Sequence, residues 1–197
     1  AHAIWAGVML IGTRAGPIRD PLPGLPHPKS GVLKAFIRHI DRLSRLVGRA
    51  ASWASLLLVL ITVYDVLARY FFQRTAAWIM ELEWHLFGLL FLLGGAYALQ
   101  EDRHVRVDVF YQRMGERERA WVDLLGTLIF LLPWCAVLLY MSARYAAASW
   151  AVREGSPDPG GLPARYLIKW ALVLGLGLLF LQGLARLLRC VQLLGKQ

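Results

Sequence analysis

Four runs of apolar residues, each long enough to form a helix across a lipid bilayer, constrain the fold of this sequence more than any other feature. The runs cover residues 50–72, 78–100, 121–150 and 166–188. A helix needs roughly 20 residues to cross a hydrocarbon core about 30 Å thick, and a segment in lipid must satisfy its own backbone hydrogen bonds. The hydrophobic fraction of 57% also exceeds that of ordinary soluble domains. We therefore predict an all-α integral membrane protein with four long, tilted helices.

The distribution of basic residues predicts how these helices cross the membrane. Sixteen of the 22 Lys and Arg residues precede the first run, separate the second from the third, or lie at the end of the fourth run and beyond it. Because cytoplasmic loops are enriched in Lys and Arg, we expect both termini and the 101–120 connection to be cytoplasmic. Topology then explains the net charge of +9, and no nucleic-acid partner is expected.

The chain before the first run divides into two parts. Residues 1–29 combine an apolar start with a Pro-rich linker, whereas residues 30–48 place apolar and basic side chains on different faces of a helix. A basic amphipathic helix is typical of a segment that lies on the membrane surface, and packing on a partner protein is the alternative. We expect a four-helix membrane domain at 49–190, a cytoplasmic tail at 191–197, and a second interfacial helix at 104–114.

Five ionisable residues fall inside the first two runs, where charge is expensive unless it is paired or hydrated. They are Asp65, Arg69, Glu81, Glu83 and His85. If the two helices are antiparallel about a turn near residue 75, all five lie near the outer surface, with Arg69 at the depth of Glu81. Three explanations stay open: an interhelical ion-pair network that holds the hairpin together, polar contacts to a partner subunit, or a site that couples transport to an ion or proton.

No residue pattern indicates an enzyme, a metal site or a cofactor site. The two cysteines lack the spacing of a metal or redox pair, and the histidines do not form a transverse pair of haem ligands. A haem- or quinone-linked membrane anchor of a respiratory enzyme is nevertheless the alternative function from another class. A small self-assembling exporter is a third.

The connection between the third and fourth runs is dense in turn-forming residues. It also contains three polar residues, Glu154, Ser156 and Asp158. One interpretation is that this segment only joins two long helices. The other is that the three polar residues belong to a docking surface for an extracytoplasmic partner.

Several short motifs in and after the first two runs resemble a known family. They are Arg69-Tyr70, Trp78-x-x-Glu81-Leu82, Gly94-x-x-Tyr97 and His104-Val105-Arg106-Val107-Asp108. Together they resemble the small membrane subunit, of DctQ type, of tripartite ATP-independent periplasmic (TRAP) transporters. The resemblance covers about residues 50–190.

The resemblance implies a role in a tripartite secondary transporter of the bacterial inner membrane. In such a system a periplasmic binding protein of DctP type captures an organic anion, and a large membrane subunit of DctM type carries substrate and sodium ions. The small subunit braces the large one. We therefore expect this chain to be a scaffold subunit for organic acid uptake, without enzymatic activity and without a cofactor.

Overall fold

A computed structural model describes residues 31–101 and 113–195, and this part of the chain folds into four long helices. Helix α1 is Gly31–Phe72, α2 is Ala77–Gln100, α3 is Glu116–Ala151 and α4 is Tyr166–Leu194. By length and composition, each helix can cross a membrane. The described residues contain no strand. The prediction of an all-α protein with four membrane-capable helices is therefore confirmed, while the cytoplasmic location of the termini stays a prediction.

Helix α1 is longer than the first apolar run. Its 42 residues extend about 63 Å at 1.5 Å per residue, and the helix does not break at the predicted boundary after residue 48. Gly48 is a point of close packing instead, because a Cβ there would lie 2.6 Å from the Cβ of Tyr97 on α2. Part of the apolar face of 31–48 is covered within the chain, since Ile37 and Ile40 pack against Ala185 of α4.

Helix α3 continues through a proline by changing its hydrogen-bond pattern. Residues Thr127–Leu131 are π-helical and separate α-helical Glu116–Gly126 from Leu132–Ala151. Pro133 lacks an N–H, and its ring crowds the carbonyl four residues earlier. A wider π-helical turn accommodates such a disruption without ending the helix. The predicted helix through Pro133 to residue 150 is confirmed, and it ends at Ala151.

Helix α4 is the central element, because it packs against α2 and α3 and also contacts α1. Gly175 permits one of these approaches: a Cβ there would lie 2.7 Å from the carbonyl oxygen of Leu92 on α2. Small residues commonly allow membrane helices to pack this closely. The same role is expected for Gly94 and Gly95, but the Cβ positions at these two glycines have no atom of another described element within 4 Å.

The two ends of the bundle differ in chemistry: one carries two of the connecting loops and the other a set of bonded polar side chains. The loop end is where α1 passes to α2 at residues 73–76 and α3 passes to α4 at residues 152–165. The network end is the opposite one, where polar side chains from all four helices are bonded to each other. The predicted topology would place the network end in the cytoplasm.

Candidate interaction site at the loop end

A single buried carboxylate, that of Glu81, joins α2 to the loop between α3 and α4. It accepts hydrogen bonds from the Ser156 hydroxyl and from the Leu162 backbone N–H, the latter at 2.6 Å. Gly161 is required beside it, because a Cβ there would lie 2.9 Å from a Glu81 carboxylate oxygen. Hydrogen bonds to a charged acceptor are stronger than neutral ones. Glu81 therefore anchors the loop to the start of α2.

The 152–165 loop is also closed on itself. The Arg165 N–H donates to the Glu154 carbonyl at 2.9 Å, and the Ser156 N–H donates to the Leu162 carbonyl at 3.1 Å. The non-glycine residues Arg153 and Ala164 have φ values of 50° and 63°, a strained conformation that persists where surrounding contacts over-determine it. Compact surface loops whose ends lie close together are frequently functional. The segment is therefore a defined structural element and more than a connection.

Glu154 fastens the same loop to α3 and α4. Its carboxylate accepts hydrogen bonds from the Ser149 hydroxyl at 2.6 Å and from the Lys169 ammonium group. The bond from Lys169, followed by that from Ser149, lowers the pKa of Glu154 below its usual value. Of the three predicted docking residues, Glu154 and Ser156 thus make internal bonds, and Asp158 leaves its side chain on the surface. Their role in docking stays a prediction.

Asp65 and Arg69 form an ion pair within α1. Arg69 lies at the expected end of the helix, but it pairs with the residue one turn before it, while Glu81 is bonded to the loop. The interhelical ion pairs that would have locked the hairpin are not found between α1 and α2 at this end of the described chain. Glu81, which was expected opposite Arg69, accepts instead from two neutral donors of the 152–165 loop. The second carboxylate oxygen of Asp65 is buried without a hydrogen-bond partner.

An open groove of about 770 Å³ lies beside these residues, between α1 and α2. Its lining combines apolar side chains with Arg69, Glu81, Glu83 and Asp158. Glu83 makes no ion pair with a described residue, and one of its carboxylate oxygens is buried without a hydrogen-bond donor. Burying a carboxylate oxygen without a partner costs free energy. The described residues thus provide Glu83 with neither a cation nor a hydrogen-bond donor for that oxygen.

Two further residues singled out in the sequence, Trp78 and His85, lie in the first half of α2. Trp78 lies half-exposed in the first turn of α2. A ring nitrogen of His85 lies 2.6 Å from the Glu81 carbonyl, and the ring packs on Trp84. The motif residues His104, Arg106 and Asp108 lie outside the described residues, as do residues 1–29 and most of the predicted second interfacial helix.

The network end contains a buried polar cluster that the sequence interpretation missed. Asp41 of α1 accepts hydrogen bonds from Arg189 and, at 3.1 Å, from Gln182, both on α4. Gln182 in turn accepts a bond of 3.2 Å from the Ser44 hydroxyl. All four residues are at most 7% exposed. Both oxygens of the Asp41 carboxylate are therefore satisfied inside the protein.

Polar bonds at the same end of the bundle also hold α2 and α3. Gln100, with its amide oriented to match donors with acceptors, donates to the Asp41 carbonyl at 3.2 Å and accepts from Arg45 at 2.7 Å. Arg186 of α4 pairs with Asp123 of α3 at 2.8 Å. A sequence signal exists: Gln182, Arg186 and Arg189 recur at the three- and four-residue spacing of one helix face. The positive-inside pattern explains the charge of Arg186 and Arg189 without indicating this contact.

Comparison with known proteins identifies one family. The model of the family described as "Tripartite ATP-independent periplasmic transporters, DctQ component" matches residues 58–193, well over half of the chain. The match includes the last third of α1, all of α2 and α3, and α4 almost to its end. No curated protein and no solved structure matches the chain.

Proposed function

This chain belongs to the DctQ family, the DctQ component of tripartite ATP-independent periplasmic transporters, and we propose that it is the scaffold subunit of one such transporter. In this proposal it braces the large DctM-type subunit in the inner membrane while that subunit moves an organic acid anion with sodium ions. It also helps to seat the periplasmic DctP-type binding protein. The family is one of transporter components and not of enzymes.

The buried network between helices is the observation that best supports a static role. Asp41, Gln182 and Arg189 join α1 to α4, and Arg186 with Asp123 joins α4 to α3. Sliding one of these helices by a turn would leave buried charges without partners, which is strongly unfavourable. A part that resists such displacement is suited to hold a moving partner at a fixed depth.

The closed 152–165 loop supports a role in seating the binding protein. Glu81 and Glu154 tie it to three helices, so its exposed surface is presented in one conformation. A binding surface that is ordered in advance loses less entropy when a partner docks. The positive-inside topology would place this loop in the periplasm, where the binding protein circulates.

Reconstitution with omission arms tests the function. Proteoliposomes would contain this chain, its cognate large subunit and the cognate binding protein, with an inward sodium gradient and a panel of radiolabelled organic acids. We expect uptake only when all three proteins are present. Uptake by this chain alone would contradict the scaffold role, as would full uptake by the large subunit and binding protein without this chain.

A further inference from the structure

One face of α2 is only partly covered by the rest of the described chain along three helical turns. At 3.6 residues per turn, Glu83, Phe87, Phe91 and Gly94 fall within an arc of about 80°. The Phe91 side chain is 74% exposed, and a Cβ built at Gly94 has no atom of another described element within 4 Å. The groove between α1 and α2 runs along the Glu83 end of this face. We call these four residues the α2 face.

The chemistry of the α2 face differs from that of an ordinary lipid-facing surface. Exposed residues 128–141 of α3 carry no charge, and Phe130 among them is as exposed as Phe91, at 73%. Lipid tails satisfy such an apolar surface fully. The α2 face instead includes a carboxylate with a buried, unpartnered oxygen at Glu83, which hydrocarbon cannot satisfy.

A second unpartnered carboxylate oxygen belongs to Asp65, whose ion-pair partner lines the groove. Asp65 is 3% exposed, and only one of its oxygens is bonded, to the Arg69 side chain that lines the groove. Glu81, the third carboxylate here, already accepts two hydrogen bonds. The groove lining itself holds three carboxylates, Glu81, Glu83 and Asp158, against one basic side chain, Arg69, so the charge complement that it lacks is a cation.

We propose that a membrane-spanning helix of the large subunit packs on the α2 face and places a Lys or Arg side chain in the groove, paired with Glu83. This inference rests on the proposed function, since it names where the large subunit binds. A helix is the expected form of the partner because backbone in lipid must satisfy itself. Gly94 allows that helix to approach closely, as small residues do in membrane interfaces. The basic side chain gives the Glu83 carboxylate the cationic partner that no described residue of this chain provides.

A steric variant tests the packing part of the proposal. Gly94→Leu would place a bulky side chain where the partner helix approaches, at a position whose Cβ meets no atom of another described element within 4 Å. Gly126→Leu on α3 is the matched control, because the Cβ position at Gly126 is equally free. With the intact chain and large subunit co-expressed in membranes, we expect Gly94→Leu to lower co-purification about tenfold, which corresponds to ~1.4 kcal/mol. Gly126→Leu should leave it unchanged.

A charge variant tests the cation. Glu83→Gln removes a charge that has no partner within the isolated chain but has one in the complex. We therefore expect it to raise or preserve the melting temperature of the isolated chain in detergent while lowering co-purification of the large subunit several-fold. Glu116→Gln, at an exposed position at the network end, should change neither quantity. A structural role for Glu83 would lower the melting temperature instead.

Photo-crosslinking identifies the occupant. A photoreactive phenylalanine analogue at position 91 should crosslink to a helix of the large subunit that carries Lys or Arg, whereas the same analogue at position 130 should not. If the wild-type chain binds the large subunit but crosslinks from position 91 reach only lipid or a second copy of this chain, the inference is wrong and the proposed function stands. If the wild-type chain does not bind the large subunit at all, the proposed function fails and the inference fails with it.

Discussion

The two ends of this bundle use buried charge in opposite ways. At the network end, the Asp41 carboxylate has donors from Arg189 and Gln182, so both of its oxygens are satisfied. At the loop end, Asp65 and Glu83 each keep a buried oxygen without a donor. Both ends belong to the same four-helix bundle. The surroundings of the bundle therefore do not by themselves explain why, among the described residues, only the loop end has buried carboxylate oxygens without donors.

This difference indicates which contacts belong to the chain and which belong to an assembly. A charge cluster that is complete within the chain fixes the arrangement of its own helices, whereas we assign the incomplete one to a group supplied by the partner. The network end is thus the part that should be stable in isolation. The loop end, apart from the bonds that fix the 152–165 loop, should change most when a partner binds.

The largest expected effect is the loss of one side of the buried pair at the network end. Arg189→Met keeps much of the side-chain volume but leaves the Asp41 carboxylate short of its charged donor. Removing one partner of a buried ion pair typically destabilises a protein by about 3–5 kcal/mol. Equilibrium unfolding in mixed micelles would measure it.

A double variant serves as the control for that measurement. Asp41→Asn combined with Arg189→Met removes both charges, and an amide at position 41 can still accept from Gln182. We expect the double variant to recover most of the stability that Arg189→Met loses. Equal losses in both variants would show that the pair is not what holds α1 on α4.

The next largest effect concerns close packing at the centre of the bundle. Gly175→Ala forces a Cβ against the backbone oxygen of Leu92, which cannot move aside as a flexible side chain can. Overpacking of this kind costs about 1–3 kcal/mol. Gly94→Ala is the matched control, and it should be neutral or slightly stabilising because alanine favours the helix. If both variants unfold alike in micelles, the α2–α4 approach is not tight.

A smaller, local effect is expected at the anchor of the loop. Glu81→Gln weakens the acceptor for Ser156 and Leu162, so the 152–165 segment should open more often without global unfolding. Limited trypsin digestion would detect cleavage after Arg153 and Arg165, and we expect a rate increase of about tenfold. Glu83→Gln, two residues away but unbonded, should leave the rate unchanged. Equal rates for all three proteins would contradict the role given to Glu81.

The smallest effect is a dependence of the loop on acid. The pKa of Glu154 is held below its usual 4.5, chiefly by the hydrogen bond from Lys169. A lowered pKa means that the carboxylate stabilises the folded loop at pH values above 4.5 and that this stabilisation is lost as the pH falls below that value. Hydrogen exchange of the 152–165 peptide, corrected for intrinsic rates, should rise in this range. Glu154→Gln should weaken the dependence and leave only the part due to the Glu81 anchor, and a flat wild-type profile would contradict the prediction.

The sequence predicted the helices well because length and hydropathy determine them almost alone in lipid. It also identified the ionisable residues of the first two helices, since charge in an apolar run is conspicuous. It did not predict that Glu81 bonds to the loop, because Ser156 and Leu162 are about eighty positions away along the chain. Contacts at that separation leave no periodic signal.

The network end was missed for a different reason. Arg186 and Arg189 fit the positive-inside pattern, so their charge already had an explanation, and Asp41 lies within a segment dominated by basic residues. The continuity of α1 through residue 48 was missed because surface amphipathicity and burial against α4 produce the same spacing of apolar residues. The packing of Ile37 and Ile40 and the bonds of Asp41 to α4 distinguish the two.

Hydrogen exchange of this chain, alone and bound to the large subunit, tests the contrast between the two ends most directly. We expect peptides from 31–48 and 182–194 to be equally protected in both states, because their contacts are internal to the chain. Peptides from 73–87, at the loop end of the α2 face, should gain protection only in the complex. Protection that changes at the network end, or that stays constant at 73–87, would contradict a rigid scaffold that presents one incomplete face to its partner.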